Sequence, residues 1–291
     1  MTLFHLGLAV WGFDRWAGSF LPTSVRKADM LRRYAERMDC VEGNDSFYGV
    51  PSASTLERRA RQTPEHFRFC PKLPRSISHE GLLAAQIAAA LDFAAHMHAG
   101  LGPRLGPFFL QLPPAYGPAD GPDLARLLNA WRRRVAHPLL VEVRHPDWYT
   151  EHLGARLDTL LSRLGLSRVV LDTRPIYSGG DDPQAANPRK KPELPLHAHP
   201  VSGRAMVRFI SHPDPPRNDR YLAEWAERVH RWLEEGIEVY FFVHCPDDFF
   251  SPETARRFHR LLTARGAPVG PLRWDQVPAE PVQAGLFGAG S

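Results

Sequence analysis

Charged and amide side chains recur two residues apart at the ends of short apolar stretches in this chain. Cys40-Val41-Glu42-Gly43-Asn44 runs from an apolar approach into a carboxylate and an amide, and Val141-Glu142-Val143-Arg144 into a carboxylate and a guanidinium. Phe69-Cys70-Pro71-Lys72 and Val170-Leu171-Asp172 follow the same layout more loosely. Alternate residues of a strand share a face, so Glu42 sides with Asn44 and Glu142 with Arg144. Taking the last inward position of each stretch gives one constellation: Trp11, Glu42, Asn44, Lys72, Gln111, Glu142, Arg144, Asp172, Arg208 and His244. Buried charge is costly unless paired, and a framework needing only stability would place apolar residues at these positions.

The inventory suggests acid–base chemistry on an anion. Lys72, Arg144 and Arg208 form a cationic clamp, in which the arginine forks match phosphate or carboxylate oxygens. Glu42, Glu142, Asp172 and Lys72 are the catalytic candidates, and the substrate is expected to carry an anionic group, phosphate above all. Trp11, Asn44, Tyr48, Gln111, Arg144, Trp148, Arg208 and His244 are expected to bind it. The reaction class stays open between hydrolysis and proton transfer of lyase or isomerase type. A Schiff base on Lys72 would require a depressed pKa, whereas neighbouring carboxylates are expected to raise it. Glu142 and Asp172, with His244, offer ligands for a divalent metal such as magnesium or manganese, although no H-x-x-x-H or C-x-x-C spacing accompanies them. The same anion site would serve a non-catalytic binding module.

The elements that must hold these residues alternate along the chain. Strands are expected over residues 4–10, 40–44, 67–72, 108–112, 139–144, 168–172, 204–210 and 237–243. Helical patterns lie over residues 24–38, 52–61, 82–98, 122–135, 151–164, 218–235 and 251–265. Strands that are apolar throughout belong to a parallel sheet covered by helices, and eight strand–helix units close into a TIM barrel. Trp11-Gly12-Phe13-Asp14 lacks the Gly-rich phosphate fingerprint that an open doubly wound sheet would carry here. The active site of a TIM barrel lies at the C-terminal ends of its strands, where the constellation falls. Residues 173–203 are long, polar and rich in turn formers, and are expected to form a lid or mobile insertion.

These motifs resemble those of the YecE-like family, domain of unknown function 72. The resemblance rests on Trp11-Gly12, Glu42-Gly43-Asn44-Asp45-Ser46-Phe47-Tyr48, Phe67-Arg68-Phe69-Cys70-Pro71-Lys72 and Ile77-Ser78-His79-Glu80. It extends to Gln111-Leu112-Pro113-Pro114, Glu142-Val143-Arg144-His145 with Trp148, and Val207-Arg208-Phe209. It implies a TIM barrel over almost the whole chain and no established activity. Many relatives carry an asparagine pair after the last strand, where this chain has His244-Cys245-Pro246-Asp247-Asp248.

Composition sets the remaining bounds. With 291 residues, 43% of them hydrophobic, the chain can bury a large core, expected as one domain over residues 1–277. The formal charge is +4, and arginine greatly outnumbers lysine. Three cysteines without paired spacing argue against a disulfide scaffold, and with no signal segment or membrane-length apolar run a cytoplasmic protein is expected. Residues 278–291 are expected to form a flexible tail. Within it, Gln283, Leu286 and Phe287 match the pattern by which bacterial replication and repair proteins dock on the sliding clamp, which raises the alternative of a DNA-associated phosphodiesterase.

Overall fold

The computed structural model describes residues 3–187 and 190–278. Eight short strands carry the architecture: β1 Phe4–Leu8, β2 Cys40–Gly43, β3 Arg68–Pro71, β4 Phe108–Gln111, β5 Leu139–Glu142, β6 Ser167–Asp172, β7 Arg204–Ile210 and β8 Glu238–His244. Their spatial order is β3-β2-β1-β8-β7-β6-β5-β4, and every paired neighbour runs parallel. Bridges Phe69↔Leu105 and Lys72↔Phe109 join the two ends, making a single-domain (β/α)8 barrel. β1 and β2 pass so closely that a Cβ on Gly7 would lie 2.3 Å from the Cys40 carbonyl oxygen, so only glycine fits there.

A helix follows each strand: α1 Met30–Ala35, α2 Ala53–Gln62, α3 Ile87–Leu101, α4 Gly121–Arg134, α5 Glu151–Arg163, α6 Arg174–Tyr177, α7 Asp219–Glu234 and α8 Ser251–Ala264. Local signals explain several starts. Ser52 caps α2 by accepting the Thr55 N–H, and Pro252 occupies the first turn of α8, where its missing N–H costs nothing. Two starts depart from the expected bounds. The chain enters α1 through a 3-10 turn at Lys27–Asp29, and Ser24 caps nothing. The segment before α3 is a 3-10 turn at Leu83–Gln86, whose Leu83 and Ala84 N–H groups donate to the Asp123 carboxylate of α4 at 2.8 and 2.9 Å. That cap comes from 40 residues away, beyond the reach of a local rule.

The strands sort their side chains in two directions. One set points out to the helices, among them Val41, Phe69, Leu110, Val141, Val207 and Phe241, and joins the large outer core. The other fills the barrel interior with Cys40, Cys70, Phe109, Leu140, Val169, Met206, Tyr240 and Phe242. On five strands, and just past the end of β3, the next residue on that inward face, two positions on, is polar: Glu42, Lys72, Gln111, Glu142, Arg208 and His244.

After α6, only one turn long, no further strand or helix occurs among the described residues until β7. Among its described residues, Gln184, Asn187, Lys190 and Lys191 face the barrel mouth. The insertion is therefore part of the site's wall.

Candidate functional site

Arg208 is the centre of the mouth and is 1% exposed. Its Nε and Nη2 donate to the two oxygens of Glu42 at 2.8 and 2.7 Å, and its Nη1 donates to Glu142 Oε2. Glu42 also accepts the Asn44 amide at 2.7 Å and His244 Nε2, which must carry the proton, at 2.9 Å. The second oxygen of Glu142 accepts Arg144 Nε at 2.7 Å. Arg144 Nη2 and Lys72 Nζ both donate to Gln111 Oε1 at 2.9 Å. Five strands, β2, β4, β5, β7 and β8, and the segment just after β3 are thus tied by one polar network.

The electrostatics follow from this wiring. Burial alone would raise the Glu42 carboxyl, but Arg208 and His244 hold it well below the usual carboxylate range. Burial opposes ionisation of Glu142 as well, and Arg208, Arg144 and Lys72 bring it down to about 2. Both glutamates are therefore carboxylates at neutral pH, committed to arginine. His244 falls to about 4, chiefly through burial, and stays neutral. Burial, then the Arg208 charge, lowers Lys72 to about 7. The carboxylates do raise it, as the sequence suggested, but desolvation outweighs them because both are already neutralised by guanidinium groups.

The network floors a cavity of about 670 Å³ at the C-terminal ends of the strands, within the usual range for a small-molecule site. Asn44, Tyr48, Lys72, Gln111, Arg144, Arg208 and His244 line it; Glu42 and Glu142 lie beneath, bound to its lining. Three expected positions are corrected. Asp172 does not face the mouth: on β6 the inward residues are Val169 and Leu171, so Val170 and Asp172 point to the helices. There Asp172 accepts Trp225 Nε1 at 2.7 Å and is bound by Arg174. The proposed metal set of Glu142, Asp172 and His244 is therefore not brought together, and among the described residues no group of three or more His, Cys, Asp or Glu is placed to hold a metal. Trp148 lies in the outer core, donating its indole N–H to the Tyr116 carbonyl. Trp11 packs under the Arg59 guanidinium at 4.7 Å and does not line the cavity.

Several residues of the site were not picked out from sequence. Lys191 reaches the cavity from the insertion, its N–H held by Gln184 and its carbonyl by the Tyr177 hydroxyl. Burial, then Arg208, lowers its amine to about 8. Phe47 sets its ring 3.8 Å from Lys72 Nζ. His79, hydrogen-bonded to Ser78, is lowered to about 4 by burial and then Lys72. Asp248 is raised by burial to about 6. Cys245 lines the cavity, but burial pushes its thiol up to about 12, which removes it as a nucleophile at neutral pH. Signals for two of them were present: Lys190-Lys191 is the only lysine pair in the chain, and His79 sits in the Ile77-Ser78-His79-Glu80 motif.

A family profile described as "Protein of unknown function DUF72" matches residues 5–280. The chain belongs to the DUF72 family. It is 31% identical over 290 residues to UPF0759 protein YecE of Escherichia coli K12, covering 98% of this chain and 100% of that one, and equally so to its counterpart from Escherichia coli O157:H7. Among solved structures, the DUF72 protein EF0366 of Enterococcus faecalis V583 superposes with a TM-score of 0.67 at 18% identity, over 89% of this chain and 95% of that one. TM1631 of Thermotoga maritima MSB8 gives 0.65 at 19% identity, over 89% and 99%. These likenesses support the DUF72 barrel and leave the chemistry to the site.

Gln283, Leu286 and Phe287, the residues expected to dock on a sliding clamp, lie outside the described residues. Among the described residues, no helix is long and apolar enough to cross a membrane.

Proposed function

We propose that the DUF72 barrel mouth binds an anionic small molecule and carries out proton transfer on it, with Lys72 as the acid–base group. One observation carries this reading: among the described residues, neither Lys72 nor Lys191 has an ion-pair partner within 4 Å, although both line the same cavity. The two glutamates beneath are already used by Arg208 and Arg144. Even with Asp248 included, the cationic side chains around the cavity outnumber the carboxylates.

Both amines are depressed by desolvation, so holding a protonated lysine in this cavity is electrostatically uphill. A carboxylate or phosphate between them would supply the missing charge, with Arg144 offering its guanidinium edge at the rim. An amine titrating near neutrality matches the requirement for general acid–base catalysis. Glu42 and Glu142, held ionised by arginine, serve in this reading to fix the cations.

Thermal unfolding in increasing inorganic phosphate or citrate, against sodium chloride of equal ionic strength, tests the proposal. The wild-type midpoint should climb with anion concentration, and Lys191→Ala and Arg144→Ala should each remove most of the increment. A flat wild-type response, or full increments in both variants, would overturn it.

A further inference from the structure

Of the 36 Lys and Arg residues only four are lysines, Lys27, Lys72, Lys190 and Lys191, and three of those four line this one cavity. Where positive charge alone is needed, arginine serves almost everywhere else in the chain, and it grips anions better. A lysine offers what arginine cannot: once deprotonated, its nitrogen has a nucleophilic lone pair. Lys190 is bound by Asp182 at the exposed rim, and Lys191 is half-buried in the wall. Lys72 is 6% exposed at the end of β3, beneath them.

We propose that Lys72 is a nucleophile that captures an anionic carbonyl compound, such as a 2-oxo acid, as an imine. This rests on the anion-binding reading of the same cavity and adds the class of substrate. The surroundings of Nζ suit the step. The amine faces the Phe47 ring, makes no ion pair among the described residues and donates one hydrogen to Gln111 Oε1. That oxygen is fixed from its other side by Arg144 Nη2. Desolvation together with adjacent cations is the environment that activates a lysine, and the same balance places the amine near 7. Arg144 and Lys191 line the cavity where the carboxylate would sit.

The step balances within the site. The neutral amine's lone pair forms the C–N bond while the carbonyl π pair moves to oxygen, and an amine proton transfers to that oxygen, giving a carbinolamine. The C–OH bond then breaks, the hydroxyl leaves as water with the remaining N–H proton, and the imine remains. Protonation of the imine nitrogen makes the C=N bond an electron sink, which lowers the barrier to losing a proton from the carbon beside it, the released pair moving into a C–C double bond as the C=N pair passes to nitrogen to give an enamine. No oxidant, reductant or further reactant is required.

The test is reductive trapping. Full-length protein is incubated separately with pyruvate, glyoxylate or dihydroxyacetone phosphate, each with sodium cyanoborohydride, and analysed by intact mass and tryptic mapping. With pyruvate the expected gain is the mass of pyruvic acid less one oxygen atom. It should be located on an uncleaved peptide running from Phe69 to Arg75, because a modified Lys72 resists trypsin. Lys72→Arg keeps the charge but cannot form an imine, so trapping should fall by about tenfold or more. If that variant does not fold, the peptide map of the wild-type protein decides alone. No adduct with any of the three compounds, or modification no greater at Lys72 than at Lys27, overturns the proposal. Trapping without an anion-dependent melting shift would instead remove the anion-binding reading and leave the imine standing.

Discussion

Two layers of the barrel interior, one step apart along the same strands, are built on opposite principles. The middle layer, with Cys40, Cys70, Phe109, Leu140, Met206 and Phe242, is apolar but for the Tyr240 hydroxyl, and is closely packed. The layer above it, with Glu42, Lys72, Gln111, Glu142, Arg208 and His244, is charged or polar and held by hydrogen bonds. Six of the eight strands, counting Lys72 just past β3, supply residues to both layers, so the contrast owes nothing to secondary structure. The lower layer is stable because its residues fill space. The upper one persists because each buried carboxylate meets a guanidinium, and among the described residues Lys72 in this layer and Lys191 beside it have no carboxylate within 4 Å. A barrel plug would not need those amines, and a ligand site would.

The strongest way to break this contrast is Arg208→Ala. It strands Glu42 and Glu142 without their shared partner in a dry environment, and loss of one member of a buried pair costs about 3–5 kcal/mol. With two carboxylates depending on one guanidinium, the result should lie at the upper end of that range, read by chemical denaturation. A loss below about 1 kcal/mol would show that the network is not holding the mouth.

Leu140→Ala probes the other layer. It should cost about 2–5 kcal/mol through lost burial and a residual cavity, yet leave the phosphate-dependent melting shift intact. If the anion response disappeared as well, the two layers would not be separable.

Asp172→Asn sharpens the comparison from outside the barrel. It weakens charge-assisted bonds to Arg174 and Trp225, each kind worth about 1.5–3 kcal/mol. The substitution should lower stability modestly and leave anion binding unchanged, since the side chain faces away from the cavity. An altered anion response in a calorimetric titration would place Asp172 in the site after all.

The smallest effect concerns pH. The folded-state amines of Lys72 and Lys191 titrate at about 7 and about 8, below their ordinary value, so the unfolded chain binds more protons there and these groups make stability rise with pH. A bound anion favours the protonated amines and reverses that penalty. The anion-dependent rise in melting temperature should therefore be largest near pH 6 and shrink as the pH climbs through these two values. At a ligand concentration a hundred times Kd the stabilisation would be about 2.7 kcal/mol. A shift constant from pH 6 to 9 would mean that the lysines do not contact the anion.

Much of this protein was determined by its sequence alone. The eight apolar strands separated by helical patterns specified a parallel barrel, because only helices on the outside can cover strands apolar on both faces. Period-two alternation also put Glu42 with Asn44, Glu142 with Arg144, and Lys72 above Cys70, since those pairs are fixed by local backbone geometry. Alternation gives relative facing only, and each strand's absolute phase is set by what packs on it. On β6 the Trp225 indole from α7 and Arg174 from α6 claim Asp172 for the outer face, and Val169 and Leu171 turn inward instead. The charge state of Lys72 was likewise a tertiary matter. Sequence could count the nearby carboxylates, but not show that Arg208 and Arg144 had already neutralised them, leaving desolvation to decide. Lys191 joins the site from more than a hundred residues beyond Lys72 because Gln184 and Tyr177 hold its backbone at the mouth. Long-range placement of that kind depends on packing, which no local pattern encodes.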